Sequence, residues 1–97
     1  MQTTIHVKIT DEGIVVIIMW PYSRYEDTVW FTFLVTGSDD NLKITDDVAY
    51  NRLNSDLKHR ILQISRDLLY KKIYTEGTQI EESITCYVDS TTMTLRL

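Results

Sequence analysis

The chain has 97 residues, of which 43% are apolar and 25% charged, with a net charge of −4 and a single cysteine, Cys86. That profile fits one globular domain with one modest core, and it excludes a disordered chain and an internal disulfide. No apolar run approaches the roughly 18 to 20 residues needed to cross a bilayer, and Met1-Gln2-Thr3-Thr4 lacks a secretion-signal pattern, so the expected location is cytoplasmic.

Thr4 to Thr10 alternates Ile5, Val7 and Ile9 with His6, Lys8 and Thr10, the period of a half-buried strand. Asp11-Glu12-Gly13 follows as a turn. Ile14 to Trp20 runs without a polar break, which predicts a central strand covered on both faces. Pro21 has no donor for the ladder and ends it. After the polar stretch Tyr22 to Asp27, Thr28 to Thr36 sets Val29, Phe31, Phe33 and Val35 on one face, with Trp30, Thr32, Leu34 and Thr36 on the other. Gly37 to Asn41 is a second turn, and Leu42-Lys43-Ile44 either continues the third strand or forms a fourth.

Thr45 reads as an N-cap, with Asp46-Asp47 where a helix dipole favours anions. A short helix is predicted to about Leu53. Asn54-Ser55-Asp56 caps a longer one through Lys72, whose Leu57, Ile61, Ile64 and Leu68 recur at helical spacing, widened by Leu62 and Leu69. Thr75-Glu76-Gly77 leaves the helix. Ile80, Glu82, Ile84, Cys86 and Val88 then share one face of a strand. Asp89-Ser90 turns the chain, and Met93, Leu95 and Leu97 alternate in a final strand.

The expected fold is one α+β domain over residues 1–97. It is an antiparallel sheet of about five strands with a short and a longer helix on one face, in the order β-β-β-α-α-β-β. The uncovered face must then hold either Trp30 and Leu34 or Val15, Ile17 and Met19, an apolar excess that makes it a candidate contact surface.

Chemistry-bearing patterns are sparse. His6, His59 and Cys86 fall on separate elements without ligand spacing, so no metal site is expected. The three glycines all serve turns, leaving no phosphate-cradling loop, and no nucleophile elbow is present. Adjacent carboxylates on a strand point to opposite faces, unlike a catalytic pair facing across a cleft. These absences favour a non-enzymatic protein with no cofactor and no small-molecule substrate.

Charge is the stronger signal. Residues 1–50 carry a net −5, residues 51–72 a net +4 and residues 73–97 a net −3. Ten of the fourteen acids form adjacent doublets: Asp11-Glu12, Glu26-Asp27, Asp39-Asp40, Asp46-Asp47 and Glu81-Glu82. Asp46-Asp47 is explained by the helix start. The other four lie on turns or element edges, where repelling carboxylates suit a positive partner. Tyr22, Arg24 and Tyr25 share the connection with Glu26-Asp27 and are residue types enriched in binding hot spots. Spaced negative pairs resemble duplex DNA, which carries about one charge per 1.7 Å of axis. The candidate partner-binding residues are therefore Asp11, Glu12, Tyr22, Arg24, Tyr25, Glu26, Asp27, Asp39, Asp40, Glu81 and Glu82.

In this profile, carried by Asp11-Glu12, Glu26-Asp27, Asp39-Asp40 and Glu81-Glu82, the whole chain resembles the phage-encoded anti-CRISPR inhibitors, particularly those acting on type I surveillance complexes. That group shares no common motif, so the resemblance transfers no residue role. It implies a stoichiometric inhibitor inside the host cell that occupies the DNA-binding site of a basic complex. Two other readings stand beside it. The basic segment, with Arg52, Lys58, Arg60, Arg66, Lys71 and Lys72, could grip nucleic acid directly. Alternatively, the open sheet face could join copies of the chain, as a weak homodimer or an assembly component.

Overall fold

A computed structural model describes residues 2–21, 28–38, 41–74 and 81–97, with side chains over 2–20, 31–37, 41–70 and 81–97. Six strands and two helices follow the order β1 (Gln2–Thr10), β2 (Gly13–Pro21), β3 (Thr28–Ser38), β4 (Asn41–Ile44), α1 (Asp47–Tyr50), α2 (Ser55–Tyr74), β5 (Glu81–Asp89) and β6 (Thr94–Arg96). The strands form one antiparallel sheet in the order β4-β3-β2-β1-β5-β6. The fold is α+β, but the sheet has six strands rather than about five. Leu42-Lys43-Ile44 belongs to a separate edge strand, because the chain reverses between Ser38 and Asn41 and β4 pairs back onto the end of β3.

One sheet face is apolar by alternation. Ile5 and Val7 of β1, Ile14, Val16, Ile18 and Trp20 of β2, Phe33 and Val35 of β3, Ile84 and Cys86 of β5, and Leu95 of β6 are all buried. Leu57, Ile61, Ile64 and Leu68 of α2 cover them in the predicted stripe. β2 is central in the sheet, as its unbroken apolar run predicts. It is not covered on both sides, however. Val15, Ile17 and Met19 are only half-buried, because both helices pack on the opposite face.

The helix starts differ from expectation in one respect. Thr45 does not cap α1. Its hydroxyl accepts from the Leu34 N–H at 3.0 Å, and its own N–H donates to the Leu34 carbonyl at 3.1 Å, so it extends the β3–β4 pairing. Asp46 caps instead, its Oδ1 accepting from Val48 and Ala49 N–H at 3.0 and 3.2 Å. α1 is a single turn that stops at Tyr50. Asn54 Oδ1 accepts from the Leu57 N–H at 2.9 Å and opens α2, which runs to Tyr74, beyond the expected Lys72.

The junction between the helices is tied to the last strand. Leu95 donates its N–H to the Arg52 carbonyl at 2.7 Å and accepts from the Asn54 N–H at 2.8 Å. The outer edge of β6 is thereby paired rather than open. Before β6, Asp89 Oδ1 accepts from the Thr91 and Thr92 N–H groups, which holds its carboxyl below the usual range. Met93 leaves the alternation to complete this turn at φ 55°, so β6 begins at Thr94. Ile80, expected to open β5, lies outside the described residues.

Candidate functional site

Strand pairing decides which of the acidic doublets meet. Lys8 pairs with Glu81, Thr10 with Gly13, and Ser38 with Asn41, while Ile14 pairs with Val35. The β1–β2 turn, the β3–β4 junction and the start of β5 therefore all lie at one end of the sheet. Pro21 and Thr28 pair at the opposite end. Asp11 and Glu12 form the exposed tip of the β1–β2 turn, and neither carboxylate meets a cation among the described residues. Asp39 and Asp40, and likewise Tyr22, Arg24, Tyr25, Glu26 and Asp27, lie outside the described residues.

Glu81 and Glu82 do not act as a pair. Successive strand residues point to opposite faces, and these two divide accordingly. Glu82 sits on the helix-covered side, half-buried, paired with Val7. Glu81 lies on the open face, its Oε1 3.2 Å from His6 Nδ1 and its Oε2 3.9 Å from Lys8 Nζ. Its carboxylate is thus engaged within the protein, by the Lys8 ammonium and the His6 ring, in an exposed arrangement of the kind that contributes only about 0–1 kcal/mol.

His6 Nδ1 also lies 3.2 Å from Ser83 Oγ. A serine, a histidine and a carboxylate in one cluster invite comparison with a nucleophilic triad. That relay needs the hydroxyl and the acid on different ring nitrogens, so that one receives a proton while the other orients the ring. Here both converge on Nδ1, which leaves no relay through the imidazole. This cluster was invisible in the sequence, since His6 and Ser83 are 77 residues apart.

On the same face, next to this cluster, β2 presents Val15, Ile17 and Met19. The register sets Val15 against Leu34 and Lys8, and Ile17 against Thr32 and His6. The two alternatives left open by the sequence are therefore one surface: Leu34 and the three β2 residues share it, all half-buried. Met19 pairs with Trp30 in the ladder, whose side chain lies outside those described.

The basic segment is partly consumed by packing. The Arg52 guanidinium stacks 5.2 Å from the Trp20 ring centroid and 4.9 Å from that of Phe31, themselves edge-to-face at 6.4 Å. Lys58 Nζ donates to Asn51 Oδ1 at 3.0 Å and lies 5.0 Å from the Tyr50 ring centroid. Arg60 and Arg66 are exposed on α2, and the Lys71 and Lys72 side chains lie outside those described. Cys86 is fully buried, and desolvation pushes its thiol up to about 11, away from ligand or nucleophile chemistry.

Among the described residues no group of three or more His, Cys, Asp or Glu side chains is placed to hold a metal ion. No helix among them is long and apolar enough to cross a membrane. No protein-family model matches this chain, and neither a curated protein nor a solved structure matches it.

Proposed function

We propose that this chain is a non-enzymatic inhibitor or adaptor that docks a negatively charged end onto a basic, nucleic-acid-handling protein and competes with DNA there, in the manner of the anti-CRISPR inhibitors it resembles. The observation that carries this reading is the convergence of the β1–β2 turn, the β3–β4 junction and the start of β5 at one end of the sheet. The exposed Asp11-Glu12 tip stands there without an internal cation among the described residues. A carboxylate free of internal partners is available for charge-assisted bonds to the arginines and lysines of a DNA groove. Glu81, held by His6 and Lys8, contributes less to such a contact than its sequence context implies.

The test is a competition assay on a purified type I surveillance complex and its target duplex. The wild-type chain should displace the duplex stoichiometrically. Replacing Asp11 and Glu12 with lysine should weaken that competition at least tenfold, about 1.4 kcal/mol, at unchanged thermal stability. Undiminished DNA binding in the presence of excess wild-type chain would reject the reading for this class of partner.

A further inference from the structure

We infer that the uncovered sheet face, centred on Ile17, is where a second copy of this chain docks. Four adjacent strands, β3, β2, β1 and β5, contribute to this face, and each has at least nine residues. At strand spacings of about 4.8 Å and rises of about 3.3 Å per residue they span a face of roughly 19 by 30 Å. Its projected area, on the order of 570 Å², approaches the ~800 Å² of accessible surface that each partner gives to a standard interface. Sheets that pack face to face do so in this aligned way, with side chains interdigitating.

The face is self-complementary about one particular axis. Its rows, read across the strands, are Leu34, Val15, Lys8 and Glu81, then Thr32, Ile17, His6 and Ser83. Two residues further along come Met19 on β2 and the Thr4–Thr85 pair. A two-fold axis running across the strands at Ile17 lays Ile17 on its own copy and Val15 on Met19 of the second chain. It lays Lys8 and Glu81 on Thr4 and Thr85, so neither of these two charges meets its like and both hydroxyls offer hydrogen bonds, while Thr32, His6 and Ser83 of the central row lie against their own copies. Apolar groups meet apolar groups along the β2 strip, which is the arrangement an isologous contact requires.

The alternative axis, parallel to the strands, is disfavoured twice. It would stack the apolar Leu34 over the charged Lys8 of β1 and Thr32 over His6. It would also bring both Asp11-Glu12 tips to the same end of a dimer built from chains of net charge −4. The cross-strand axis sends the tips to opposite poles. The dimer so formed presents two separated negative ends, and its formation does not depend on what those ends bind.

Sedimentation equilibrium over roughly 1 to 200 µM tests the proposal. The wild-type chain should pass from monomer to dimer within that range, and Ile17→Glu should weaken the association at least tenfold with an unchanged circular dichroism spectrum. Cross-linking supplies a readout that survives a destabilised variant. Under mild oxidation Ile17→Cys should form a disulfide-linked dimer, while Gln63→Cys, exposed on α2, should not, and the buried Cys86 stays silent in both. Asp11→Lys with Glu12→Lys should leave the dimer intact, which separates this inference from the competition assay. A wild-type chain that stays monomeric at 200 µM, or an Ile17→Cys chain that cross-links no faster than Gln63→Cys, would overturn it.

Discussion

Gly37 stands at φ 110°, and a Cβ added there would overlap the Asn41 carbonyl oxygen of the strand that folds back on it. Both the backbone conformation and the close approach therefore require glycine. Gly37→Ala should cost about 2 kcal/mol, read as a lowered urea midpoint at unchanged slope; a midpoint equal to wild type would mean that the β3–β4 reversal relaxes freely. The reversal was legible, because a glycine followed by Ser38-Asp39-Asp40-Asn41 between apolar runs reads as a turn, but Gly37 and Ser38 belong to β3 and Asn41 to β4, so the turn is shorter than Gly37 to Asn41. Thr45 and Met93 show the opposite. A threonine before two aspartates reads as a cap, yet its hydroxyl is claimed by the Leu34 N–H, eleven residues back, a partner no local pattern reveals. Met93 fits an alternating strand by spacing, but the Asp89 carboxylate organises a turn over Thr91 and Thr92 that extends to it.

The second helix depends on its stripe at the level of whole turns. Ile61 is fully buried beneath the sheet, whereas Ser65, one turn on and equally buried, donates its hydroxyl to the Ile61 carbonyl at 2.7 Å. Ile61→Ala removes packed methylenes and leaves a cavity, so thermal or urea unfolding should show a loss of about 3 kcal/mol. Ser65→Ala removes a polar group together with its only need for a partner, since that carbonyl sits within the helix ladder, and should change stability by no more than about 0.5 kcal/mol. A large loss at Ser65 would mean that the hydroxyl holds the helix to the sheet rather than to itself. The stripe of α2 was legible from four apolar residues at helical spacing. The partial exposure of β2 was not, because an unbroken apolar run looks the same whether its second face meets a helix or another chain. If two copies pack there, the run Ile14 to Trp20 is covered on both faces after all, by different molecules.

Sheet order sets what the whole molecule brings together. β1 to β4 follow one another through short reversals, but β1 pairs with β5, joining His6 to Ser83 across 77 residues. The consecutive antiparallel pairing of β1 to β4 sets the β1–β2 turn and the β3–β4 junction at one end of the sheet, and the long-range pairing adds the start of β5 to them and withdraws Glu81 onto His6 and Lys8. Successive short reversals in the sequence already imply that the first and third turns share an end, but no local pattern shows that the start of β5 joins them. The same pairing orders the folding steps. The β1–β2–β3 meander closes short loops, whereas docking β5 and β6 closes a long one, whose entropic cost is met only by contacts made afterwards. Leu95 belongs to the late group: fully buried, it ties β6 to the Arg52 carbonyl and the Asn54 N–H. Leu95→Ala should therefore act almost wholly on the unfolding arm of a chevron, raising that rate while folding changes by less than about twofold, as for an interaction absent from the transition state. Ile18→Val, inside the meander, should slow folding instead. If Leu95→Ala slowed folding as much as Ile18→Val, the closure around β5 and β6 would belong to the nucleus, and the acidic end would be assembled before the meander is complete.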